Sequence, residues 1–157
     1  RSSDLLNRVA SLMRARSFNI ESLAVSVTER PDASRMTIAI IGDEVQVEQA
    51  TKQLYKLIDV LKVQDLTSES IVEHELALVK VRASVRTRAE VVSIAEMHRG
   101  RVVDLTDESA IIEVVGEPAE VDRMVELLRG FGIKELVRTG SVVMSRGSGS
   151  IEEQVKR

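Results

Sequence analysis

Apolar residues at Leu5, Val9, Leu12 and Met13 recur at the spacing that gathers them on one side of a helix, which predicts a short helix over this stretch. From Ser22 to Thr28 the period falls to two. Leu23, Val25 and Val27 alternate with Ser22, Ala24, Ser26 and Thr28, as in a half-buried strand. The turn Arg30-Pro31-Asp32-Ala33-Ser34 leads into a second alternating run, Met36 to Ile41, so two antiparallel strands are expected. Gly42-Asp43-Glu44 breaks the strand, and Val47, Ala50, Leu54, Leu57 and Leu61 restore helical spacing. Val60 to Leu66 is predicted as a strand following this helix.

The same order returns after the polar Ser68-Glu69-Ser70. Leu76 to Ala83 is predicted as a strand with Val79, Val81 and Ala83 on one face and Lys80 and Arg82 on the other. Thr87 to His98 has helical spacing through Val91 and Ile94. Arg101 to Leu105 and Ala110 to Val115 flank Thr106-Asp107-Glu108-Ser109 as a hairpin. Gly116-Glu117-Pro118 opens a helix with proline where the first turn tolerates it, Gly130 and Gly132 close it, and Ile133 to Arg138 is the last strand.

The two halves repeat. Gly42 and Gly116 each follow an apolar strand and open a helix, and their offset of 74 also superposes Val47 on Val121 and Leu54 on Leu128. Each half reads strand, helix, strand, strand, helix, strand, the ferredoxin-like order, with both helices on one face of an antiparallel sheet. The fold class is therefore α+β, with residues 1–70 as a first domain, 71–146 as a second and 147–157 as a flexible tail around Gly147-Ser148-Gly149-Ser150. In the first domain the opening strand is missing, because only Arg1 to Asp4 precede its helix. That strand is central in this topology, so its absence leaves two inner edges unpaired. The expectation is a parent chain starting roughly ten or more residues earlier.

Composition narrows the function. A net charge of -3 and an aromatic content of 2% (Phe18, Tyr55, Phe131) supply neither a broad phosphate-neutralising surface nor a stacking platform for bases. There is no cysteine, hence no thiolate metal site, disulfide or cysteine nucleophile, which suits a reducing compartment. His74 and His98 lie apart, with no partner at metal-ligand spacing; His98 fits the negative end of a helix. Glu73 and Glu75 read as solvated charges of an edge strand rather than an acid/base pair. No catalytic residue and no metal site are expected.

Two ordered stretches carry more information: Asn19-Ile20-Glu21-Ser22-Leu23-Ala24-Val25, and Lys52 to Thr67 (KQLYKLIDVLKVQDLT). With Ser34-Arg35-Met36-Thr37-Ile38, Glu75 to Val81, Arg101-Val102-Val103-Asp104, Ile112 to Gly116 and Phe131 to Gly140, they resemble the small, regulatory subunit of acetohydroxyacid synthase (acetolactate synthase) from about Leu6 to Gly147. The resemblance implies that the first domain is an ACT domain, which binds an amino acid at a dimer interface, and the second an ACT-like ferredoxin-like domain. It implies a non-catalytic subunit that activates a separate catalytic subunit of branched-chain amino-acid synthesis and makes it sensitive to valine or a related amino acid. The thiamine diphosphate, magnesium and FAD of the reaction would belong to that partner. A homodimer through the ACT domain follows from the same likeness, and the absence of cysteine suits the cytoplasm or the plastid stroma.

A zwitterionic amino acid needs donors for its carboxylate, an acceptor for its ammonium group and an apolar pocket. A loop opening a helix supplies the donors. By resemblance the ligand positions are Asp4, Leu5 and Leu6 at the start of the first helix, Asn19 before the hairpin, and Ile20 in the side-chain pocket across the dimer. Read without the likeness, Asn19 is a helix terminator in left-handed conformation. Two positions depart from the family pattern. Ser17 stands where a glycine is usual, reducing backbone freedom at the helix end. Asp4 stands where a glycine lets the backbone approach the ligand carboxylate, so its bulk and like charge predict weak response to valine; its plainer role is a helix cap. The competing readings are a free-standing amino-acid sensor and a small ferredoxin-like hydrolase; the latter lacks a glycine-rich anion loop between Arg8 and Asn19.

Overall fold

The structure is a computed structural model and describes residues 2–155, with side chains from Asp4 onward. These residues fall into two compact units, one up to Val72 together with the segment from Val143 onward, the other Glu73–Val142. In the first unit α1 (Ser2–Ala15) is followed by β1 (Ile20–Val27), β2 (Ser34–Ile40) and α2 (Glu44–Tyr55). Then come β3 (Ile71–Arg82), α3 (Arg88–Met97), β4 (Arg101–Leu105), β5 (Ser109–Gly116), α4 (Pro118–Arg129), β6 (Ile133–Arg138) and β7 (Val142–Ser145). The architecture is α+β, of antiparallel sheets and helices.

The second unit has the strand order β4-β5-β3-β6. Alternation along β3 and β5 sends Ala77, Val79 and Val81 and, opposite them, Ala110, Ile112 and Val114 to one face, where they meet Val91 and Ala95 of α3 and Val121, Met124, Val125 and Leu128 of α4. All are buried. Burial of this many methylene groups, at about 0.8 kcal/mol each, is the main stabilising term for the unit.

Glu75 corrects the reading of β3 as an edge strand bearing solvated charges. β3 lies between β5 and β6, and Glu75 is only 6% exposed. Its carboxylate accepts a hydrogen bond from Arg138 Nε of β6, and the other end of that guanidinium donates to Asp122 Oδ1 of α4 at 2.6 Å. The hydrogen bond to Glu75 raises the Arg138 pKa above its ordinary value, against burial, which lowers it.

The first unit repeats part of this plan. β1 pairs with β2 antiparallel, Leu23 opposite Ile38 and Val25 opposite Met36. Met36, Ile38 and Ile40 pack with Leu5, Phe18, Ile20, Leu57 and Val63 around Val9, Met13, Ala50 and Leu54. Asp43 caps α2 reciprocally: its Oδ1 accepts from the Gln46 N–H at 2.9 Å, and Gln46 Oε1 accepts from the Asp43 N–H at 3.2 Å. A Cβ on Gly42 would run into the Gln46 side-chain oxygen, and one on Gly116 into the Glu120 carboxylate, so the two equivalent glycines leave room for equivalent side chains.

Two sequence expectations need correction. Residues 60–66 form no strand, and among the described residues the sheet of α1 and α2 holds β1 and β2 alone. In the second unit the corresponding β6 is laddered to β3, and no counterpart of β3 stands before α1 among the described residues. Instead, the Tyr55 hydroxyl accepts from the Val63 N–H and donates to the Val63 C=O, both at 3.0 Å. Conversely, Val142–Ser145 is strand β7, unforeseen in the sequence, and the Arg35 guanidinium donates to the Val143 carbonyl at 2.6 Å.

Candidate functional site

The end of α1 sets the position of Asn19. Phe18 N–H donates to Met13 C=O at 3.0 Å and Ser17 N–H to Arg14 C=O at 3.1 Å, the paired bonds of a Schellman turn, with Ser17 at φ 58°. The left-handed residue is thus Ser17, and Asn19 is not the helix terminator. One turn later the chain enters β1. Asn19 C=O accepts from the Ile41 N–H at 2.9 Å, which fixes its backbone to the end of β2, and its side chain remains exposed. The same turn recurs after α3, where Gly100 N–H donates to Ala95 C=O and Arg99 takes φ 60°.

Asp4 lies within α1, in its first turn, rather than in a loop before it. First-turn N–H groups lack partners inside the helix and remain available to an anion. The Asp4 side chain is exposed and its charge suits the positive end of the helix dipole. Leu5 and Ile20 are both half-buried and pack on the cluster around Val9 and Met13; Leu6 is half-buried and outside that cluster. Four of the five expected residues therefore flank the two ends of α1, and Leu5 and Ile20 share one apolar cluster. Ile20 turns toward the core of its own unit. Among the described residues no group of three His, Asp or Glu is placed to hold a metal ion, and no helix is long and apolar enough to cross a membrane.

The unit from α1 to α2 defines the chain as an ACT-type protein. A family model described as the AHAS small subunit-like ACT domain matches residues 5–62, and one described as the small subunit of acetolactate synthase matches residues 74–147. A probable acetolactate synthase small subunit of Archaeoglobus fulgidus is 51% identical over 144 residues, 92% of this chain and 90% of the relative. The acetolactate synthase small subunit of Bacillus subtilis is 46% identical over 93% of this chain and 86% of its own length. The crystal structure of the acetolactate synthase small subunit from Thermotoga maritima superposes with a TM-score of 0.84 at 39% identity, covering 92% of this chain and 91% of that one. The chain belongs to the acetolactate synthase small-subunit family, the regulatory rather than the catalytic component.

Proposed function

We propose that this chain binds the acetolactate synthase catalytic subunit, raises its activity and makes it subject to feedback inhibition by valine or a related branched-chain amino acid. The observation that carries the reading is the match of residues 5–62 to the small-subunit ACT domain; the first turn of α1 and Asn19 lie at opposite ends of that helix, so a ligand touching both would take them from two copies. First-turn N–H groups would receive the amino-acid carboxylate, and the exposed Asn19 side chain offers both a donor and an acceptor. Leu5, Leu6 and Ile20 would supply apolar surface. Asp4 would weaken this site by charge repulsion with the ligand carboxylate.

Two copies of the first unit would assemble at the free outer edge of β1, where Val27 is 94% exposed. Ligand bound there would favour one of two arrangements of the pair, which requires unequal affinity for them. Thiamine diphosphate, magnesium and FAD would be held by the catalytic subunit, and the complex would work in the cytoplasm.

The test is acetolactate formation by a cognate catalytic subunit, with and without this chain, over a valine titration, for wild type and Asp4→Gly. Stimulation insensitive to valine in wild type and reversed by valine in Asp4→Gly is the expected result. Full sensitivity in wild type would overturn the role given to Asp4. Absence of stimulation, with a Bacillus subtilis small subunit active on its own partner in a parallel assay, would overturn the regulatory reading.

A further inference from the structure

The chain leaves α2 through a turn whose tip is apolar. Val60 N–H donates to Leu57 C=O at 3.1 Å, so residues 57–60 form a β-turn with Ile58 and Asp59 at its centre. Such tips ordinarily carry glycine, proline, asparagine, aspartate or serine. Here Ile58 is 91% exposed, Leu61 just beyond the turn 57% and Tyr55 just before it 46%. Three large apolar side chains between positions 55 and 61 thus stand in water.

The turn is held from three sides. Leu57 and Val63 pack into the cluster around Val9 and Leu54. Asp59 meets Arg8 of α1 at 2.8 Å, and the Tyr55 hydroxyl holds both backbone groups of Val63. Ile58 therefore stands out from a fixed base, and its burial by a partner would cost little ordering entropy. The charges around it are one-sided. Asp59 is engaged by Arg8, and Lys52 by Glu48 at 3.2 Å, whereas Lys56 and Lys62, one on each side of the turn, form no ion pair among the described residues.

We propose that this turn anchors the chain to the catalytic subunit: Ile58 and Leu61 enter an apolar recess of that partner, and Lys56 and Lys62 meet carboxylates at its rim. The inference rests on the regulatory reading above and names the surface that carries it. A second copy of the chain is a poor occupant, because two such turns face to face would bring four unpaired ammonium groups together. A partner bearing carboxylates is attracted by both lysines. A few such side chains, desolvated at the centre of a contact, carry most of the energy of an interface.

The test titrates the full chain into the acetolactate synthase catalytic subunit and reads the concentration that gives half-maximal stimulation of acetolactate formation. Ile58→Ser should raise it about tenfold and Ile58→Ser with Leu61→Ser further, circular dichroism staying unchanged because both positions face water. Lys56→Glu with Lys62→Glu should raise it several-fold over wild type at low salt and much less at about 0.5 M salt. Val85→Ser, at an exposed position of the second unit, should leave it unchanged. A half-stimulating concentration unmoved by Ile58→Ser, or moved as far by Val85→Ser, would overturn the proposal and leave the regulatory reading intact. Failure of the wild-type chain to stimulate would overturn both.

Discussion

Arg138 on β6 spans from the buried carboxylate of Glu75 to the exposed Asp122 of α4, joining three elements of the second unit through one side chain. Removing the guanidinium strands a carboxylate that is only 6% exposed. Arg138→Met should cost about 3 kcal/mol, at the low end for a broken buried pair because the arginine is partly open to water. Glu75→Leu combined with Arg138→Met should recover most of that loss in urea unfolding. A cost below about 1 kcal/mol for the single change would show that water reaches Glu75. The folded-state pKa of Arg138 is raised, so its contribution holds at all pH below the unfolded value and disappears only as pH rises through the folded one. Stability should therefore show no loss from this arginine between neutrality and about pH 10.

Ser17 and Arg99 occupy the left-handed position after α1 and α3. A non-glycine residue pays about 1–2 kcal/mol for that conformation, and glycine returns about 0.5–1 kcal/mol through the flexibility of the unfolded chain. Ser17→Gly and Arg99→Gly should each stabilise by about 0.5 kcal/mol in thermal unfolding. Destabilisation by either would mean that side-chain contacts, not backbone strain, decide these turns.

The glycines before α2 and α4 should respond differently to one change. Gly42→Ala displaces Gln46 from its bond to the Asp43 N–H and should cost about 1 kcal/mol. In Gly116→Ala the displaced Glu120 makes no cap bond, because α4 has none from a side chain, and it can swing away at less than about 0.5 kcal/mol. Equal costs in chemical denaturation would remove the capping explanation.

Tyr55 is the only tyrosine of the chain and holds both backbone groups of Val63. Tyr55→Phe should leave the helical content unchanged and speed amide exchange at Val63 by about tenfold, the equivalent of about 1.4 kcal/mol. An unchanged exchange rate would place the protection of Val63 elsewhere.

Most of this fold was legible in the alternation of residues. The four helices, both hairpins and the internal repeat follow from local periodicity, since each is specified within its own segment. Failures fall where a residue depends on a distant neighbour. Val60 to Leu66 has the composition of a strand, but a strand exists only in a ladder, and the first unit's sheet offers none beside it. Glu75 reads as a surface charge until β6 brings Arg138 to it, 63 residues along the chain. The expected ligand residues were found through their likeness to a family; their types alone distinguish Asn19 from a helix terminator only once Ser17 is seen to take the left-handed position.

The cores of the two units are unequal. Among the described residues thirteen apolar side chains are buried together in the second unit, against Val9, Met13, Ala50 and Leu54 in the first. Free energy of opening scales with such burial, so the first unit should exchange its amides through sub-global openings well before the second gives way. On the proposed function, an amino acid or partner bound to the first unit would be read out as gained order there, while the fold of the second unit would stay unchanged.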